Sequence, residues 1–130
     1  MKRFVVIVNF VVIANLSAFG QSPEYDKAID AALLKKRQCF SEVATVFDDQ
    51  ISDAATIARL AVHKCYSERV KFLEAVKAKV TGISYWSFTD DSSRAAALQS
   101  SREAEIDEAL GAVLAVRVEG RKKSVAYPSK

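Results

Sequence analysis

Cys39 and Cys65 are the only cysteines of this 130-residue chain, and His63 is its only histidine. Two thiols can form a disulfide, hold part of a metal site, or cycle as a redox pair. The Cys-x-x-Cys spacing that lowers a thiol pKa is absent, which argues against redox work. An even count in an oxidising compartment reads as a bridge, and two cysteines allow one pairing within the chain. A Cys39–Cys65 disulfide is therefore expected, with a bridge to a second copy as the alternative. Closing a loop of about 26 residues removes roughly 3.5 kcal/mol of unfolded-chain entropy. His63 has no set of neighbouring ligands that would make a structural zinc site. As a general base it would need a nucleophile and an orienting carboxylate, and Ser67, one helical turn on, does not by itself complete such a pair. His63 is read as a surface or boundary residue.

Carboxylates come in three groups. Asp48-Asp49 and Asp90-Asp91 are adjacent pairs, but calcium requires six or more oxygens, so both are read as charge pairs before helices. Glu103, Glu105, Asp107 and Glu108 are read as the solvated side of an amphipathic helix. Glu68 falls on an apolar track and is expected either to pair with Lys36 or Arg102 or, because a buried unpaired charge is costly, to stand exposed at a groove. Glycines occur only at 20, 82, 111 and 120, so phosphate loops and dinucleotide fingerprints are absent. No catalytic, metal-binding or cofactor-binding residue is assigned. The remaining candidates are Tyr85, Trp86 and Phe88, three aromatics within four positions of an inter-helix segment. Such rings dominate interface hot spots, so they are the candidate partner-binding residues. The competing reading folds the same segment over one end of the helices as a core plug.

These residues need a compartment and a scaffold. Lys2 and Arg3 precede Phe4 to Phe19, a run that is apolar apart from Asn9, Asn15 and Ser17. Ala18-Phe19-Gly20 places small residues three and one positions before Gln21. A basic start, a short apolar core and a small-x-small exit form the signal-peptide pattern. The 16-position run is short of the roughly 20 residues a spanning helix requires. Residues 1–20 are therefore expected to be removed, leaving 21–130 as one domain in an extracellular or periplasmic setting. The full chain has 19 basic and 16 acidic residues; losing Lys2 and Arg3 leaves 17 against 16, a net charge of +1. Near-neutrality argues against a nucleic-acid partner.

Apolar spacings of three and four residues organise the mature chain as helices. The first is expected from about Glu24 to Phe47, with Ile29, Leu33, Lys36, Phe40, Val43 and Phe47 inward. Lys36 would lay its stem on the apolar surface while its charge reaches water. A turn follows at Asp48–Ser52. A second helix, capped by Ser52 or Asp53, is expected to run to about Val80, with Ala61, Cys65, Phe72 and Val76 inward. Gly82 supplies a left-handed stop. A third helix begins near Ser92 or Ser93, carries Leu98, Arg102, Ile106, Ala109 and Val113 inward, and ends before Gly120. The expected fold is all-α: a small three-helix, or four-helix, bundle with an antiparallel hairpin stapled by one disulfide and a basic, partly flexible C-terminal tail.

The pairing of Cys39-Phe40 with Cys65-Tyr66 on two helices loosely resembles small cysteine-braced helical proteins that insects secrete, and equally many bacterial periplasmic helical proteins. It covers about a third of the chain and implies no function. The expected function is that of a secreted binding or interaction protein. The alternatives are a carrier of a small apolar ligand and a structural, self-assembling protein; no enzyme is expected. The expected partner is another protein or a small apolar ligand, with self-association a further option. Neither nucleic acid nor a membrane span in the mature form is expected.

Overall fold

The computed structural model describes residues 23–126. The signal-peptide reading at 1–20 and the final segment 127–130 lie outside the described residues. Four helices occupy the described residues: α1 (Pro23–Phe47), α2 (Ala54–Lys64), α3 (Tyr66–Thr81) and α4 (Asp91–Ala126). They form an all-α four-helix bundle in which α2 packs chiefly on α4 and α3 chiefly on α1, while α1 also meets α2 and α4.

The predicted second helix is two helices, broken at Cys65. That residue has φ −89° and ψ 28°, well away from helical ψ. Its amide still bonds the Ala61 carbonyl, and its carbonyl receives the Arg69 amide, so the break is one residue long. The reason lies in tertiary packing. Cys65 is bonded to Cys39, with the two Cα atoms 6.0 Å apart, and the helices on either side of it rest on different neighbours. The expected disulfide is present, and it sits at the bend.

The core is centred between α1, α2 and α4, on Phe40, Val43, Ile57, Val62, Cys65 and Val113. Ala44, Ala58, Ala61 and Ala109 are fully buried among them. Side chains this small let helices approach closely. At the end of the predicted α1 stripe, Phe47 stays substantially exposed and lies under the Lys64 ammonium, 4.9 Å from its ring centre.

The α1–α2 turn is held by its two aspartates. Asp49 accepts the amides of Ile51 (3.0 Å) and Ser52 (2.7 Å) and the Ser52 hydroxyl (2.7 Å). These bonds, led by the Ser52 hydroxyl, hold its carboxyl down at about 2. Asp48 receives a bidentate contact from Arg117, whose Nη2 also donates to the Ser52 carbonyl at 2.6 Å. The pair therefore builds the turn and pins it to α4. It does not serve as a helix-end charge. Ser52 is committed to Asp49, and Asp53 stands at the α2 N-cap with no side-chain cap bond.

Gly82 closes α3 with φ 69°, the left-handed stop its sequence position implied. Gly120 does not end α4, which continues to Ala126. A Cβ at Gly120 would come within 2.9 Å of the Gln50 side-chain nitrogen, so the glycine makes room for the turn packed against it. Asp90 caps α4 by accepting the Ser93 amide (2.7 Å) and hydroxyl (2.8 Å). Those bonds hold its carboxyl below the usual range, the Ser93 amide contributing most. No helix among the described residues is long and apolar enough to cross a membrane.

Candidate functional site

The α3–α4 connection divides its aromatic residues between two jobs. Phe88 is buried; its amide donates to Glu74 at 3.2 Å, and its ring meets Trp86 edge-on with centroids 4.8 Å apart. Trp86 is half-buried. Tyr85 is 97% exposed, and Ile83 (55%) and Val80 (76%) lie open close by in sequence. Phe88 is thus the plug, Trp86 the boundary, and Tyr85 the part offered to solvent. Beside them is a cleft of about 250 Å³, walled by Tyr25 and Ala28 of α1, Glu74 and Ala78 of α3, and Tyr85 and Trp86 of the connection. Two contacts tie the connection and α3 to α1: the Tyr25 hydroxyl lies 3.5 Å from the Ser84 hydroxyl, and Lys79 pairs with Asp26.

Of the four acidic residues expected on the solvated side of α4, Glu105 and Glu108 turn inward. Glu105 is only 3% exposed, and its Oε2 accepts the Arg69 Nε at 2.6 Å. Glu108 is partly buried and takes Lys36 and Arg37, both at 2.7 Å. Burial pushes the Glu108 carboxyl up, but the bonds from Lys36 and Arg37 outweigh it and hold it below the ordinary range. Glu103 and Asp107 do face solvent. The inward track of α4 runs through Leu98, Glu105, Ala109 and Val113, so Arg102, expected inside, lies outside. Glu68 is half-buried, with no ion pair among the described residues. Its neighbour Arg69 takes the interior place, and Lys36 finds Glu108 instead. Lys36 does not reach water: its ammonium sits 4.3 Å over the Phe72 ring as well as against Glu108.

Arg69 does more than pair. Its Nη1 donates to the Val62 carbonyl and its Nη2 to the Leu98 carbonyl, each at 3.2 Å. A helix end leaves carbonyls without amide partners, and Val62 lies in the last turn of α2. The guanidinium therefore caps α2 at the Cys65 break and joins it to α4. The second Glu105 oxygen, Oε1, is buried without a hydrogen-bond partner among the described residues.

On the α4 side of that guanidinium lies a second cleft, of about 340 Å³, which the sequence reading did not anticipate. α2 presents Arg59, Val62 and His63 to it, and α4 presents Leu98, Gln99 and Arg102. The signal was available in the repeated three- and four-residue spacing of polar residues on both helices. Pairing the two faces required knowing that α2 packs on α4.

His63 is exposed on the rim of this cleft, and Ser67 is exposed. No group of three or more His, Cys, Asp or Glu side chains is placed to hold a metal ion among the described residues. No protein-family model, curated protein or solved structure matches the chain, so its sites rest on their own geometry.

Proposed function

We propose that the mature chain is a secreted binding protein that recognises a partner protein through the α3–α4 connection. The observation that carries this reading is Tyr85. A large aromatic stands almost wholly in solvent, with Ile83 and Val80 open close by in sequence, on a segment anchored by buried Phe88. An anchored loop loses little freedom on binding, and preorganisation of this kind raises affinity. Covering what remains exposed of Ile83 or Val80 would contribute about 1–2 kcal/mol each. The adjoining cleft accepts one apolar side chain, and Glu24 and Glu74 at its wall favour a cationic neighbour on the partner. Export is supported by the disulfide, a feature of oxidising compartments, together with the signal pattern of residues 1–20. The reading assigns no reaction to the chain. The apolar-carrier alternative draws no support from the clefts described above, which open to solvent and carry charged side chains.

The test is affinity capture from the native extracellular or periplasmic fluid with oxidised protein, alongside Tyr85→Ser. The variant should melt within about 1 °C of the wild type, because an exposed side chain contributes little stability. A specific partner should be retained by the wild type, quench or shift Trp86 emission, and bind the variant at least about tenfold more weakly. Equal retention by both proteins would defeat the reading.

A further inference from the structure

We infer that the cleft between α2 and α4 binds a small organic oxyanion, a phosphate or sulfate monoester of ring size. This site shares no lining residue with the aromatic cleft and does not depend on the partner-protein reading.

Charge is the first argument. Arg37, Arg69, Arg94 and Arg117 each bond a carboxylate. Three described arginines form no ion pair; Arg121 lies near the end of α4, whereas Arg59 and Arg102 both line this one cleft. Among the described residues, no carboxylate lines it. The third guanidinium at its wall, Arg69, is already neutralised by Glu105. Two uncompensated positive charges therefore face a common space, with His63 and the Gln99 amide beside them.

Register is the second. Val62 and His63 lie three and four residues after Arg59 along α2, and on α4 Leu98 and Gln99 lie three and four after Ala95, with Arg102 three after Gln99. Both helices thus turn one continuous stripe to the cleft. Arg69 fixes their separation by bonding a carbonyl on each, so the site is held by helices and not by loops. Donor chemistry is the third. Two guanidinium forks, an imidazole and an amide supply more donors than a planar carboxylate can use, whereas a tetrahedral oxyanion offers three or more acceptor oxygens.

Size sets the body of the ligand. About 340 Å³ is at the small end of ligand pockets. It has room for a single ring, with Tyr66 and Ala95 beside the buried Val62 and Leu98 on its wall.

His63, the only histidine, gives a unique reporter on the rim. The experiment titrates the oxidised protein with phenyl phosphate, phenyl sulfate, inorganic phosphate and benzyl alcohol in about 0.15 M salt, where loose surface attraction is screened. Binding is read from the His63 ring resonances and by calorimetry. The expected result is saturable binding of one or both phenyl esters. It should weaken by about tenfold or more in Arg59→Gln/Arg102→Gln and hold steady in the distant control Arg121→Gln/Lys122→Gln. Phenyl phosphate binding alone assigns a phosphate monoester, and equal binding of the sulfate assigns either ester. Both cleft arginines are exposed, so the variant should keep the wild-type helical spectrum and disulfide. Three results would overturn the assignment: no saturation by either ester below about 10 mM, equal affinity in the cleft variant, or inorganic phosphate or benzyl alcohol binding as tightly as the esters.

Discussion

Replacing Glu105 with glutamine leaves the Arg69 guanidinium charged and buried without its counter-ion. In the intact protein the two side chains are about 7% and 4% exposed and 2.6 Å apart. Removing one partner of such a pair costs about 3–5 kcal/mol, because the other charge remains desolvated. Arg69 keeps its bonds to the Val62 and Leu98 carbonyls, so Glu105→Gln should lie near the lower figure, about 3 kcal/mol. Arg69→Met should reach about 5 kcal/mol: it strands a carboxylate whose other oxygen already has no partner, and it uncaps α2. The double variant Arg69→Met/Glu105→Met buries no charge and leaves mainly the Val62 carbonyl unpaired, a loss of about 1–3 kcal/mol. The double variant should therefore be more stable than either single one. Urea unfolding of the oxidised protein at neutral pH measures all three, and the single losses correspond to roughly 15–30 °C in melting temperature. Additive losses, or a Glu105→Gln loss under about 1 kcal/mol, would refute the view that this pair is a desolvated unit linking α2, α3 and α4.

Three further outcomes follow from the fold. Cys39→Ser/Cys65→Ser should lower the unfolding free energy by about 3.5 kcal/mol, the loop entropy of the 26-residue separation, as should reduction of the wild type; denaturant melts with and without reductant measure it. Asp48, Asp49, Asp90 and Glu108 all have carboxyl pKa values depressed by folding, Asp49 to about 2. A depressed acid contributes stability above its unfolded pKa and loses it as pH falls through the folded value. Melting temperature should therefore be insensitive to these groups above their ordinary pKa range and should drop steadily from there toward pH of about 2. Asp48→Asn should flatten part of that drop. Gly111→Ala should stabilise the protein by about 1 kcal/mol, because the position is helical, open and free of any neighbour for the added methyl. A thermal melt showing no gain would point to strain in α4 at that residue.

Much of this architecture is written in local patterns. Three- and four-residue apolar spacing defined α1 to within one residue, and Gly82 stops α3 for the reason its backbone freedom suggests. The cysteine count alone named the disulfide partners. These features depend on the residue and its near neighbours in the chain, and periodicity reports them directly. Other features depend on what approaches from elsewhere. Cys65 breaks its helix because the bonded cysteine and two different packing partners act at that point, whereas the flanking sequence reads as uninterrupted helix. Gly120 looks like a terminator, and it is a clearance for Gln50. The charged residues were least legible. Glu105 and Glu108 sit among acidic neighbours that face water, and one helix cannot say whether a cation waits across the interface. Lys36 and Arg69 are those cations, and burying each pair is favourable only once both members are in place. The cationic cleft has the same origin, since Arg59 and Arg102 are ordinary surface residues until α2 and α4 are set side by side. Local spacing determined which segments coil and which faces are apolar. Only the packing of one helix on another decided where charge is neutralised and where it is left to meet a ligand, because Coulomb energy depends on distance through space and not along the chain.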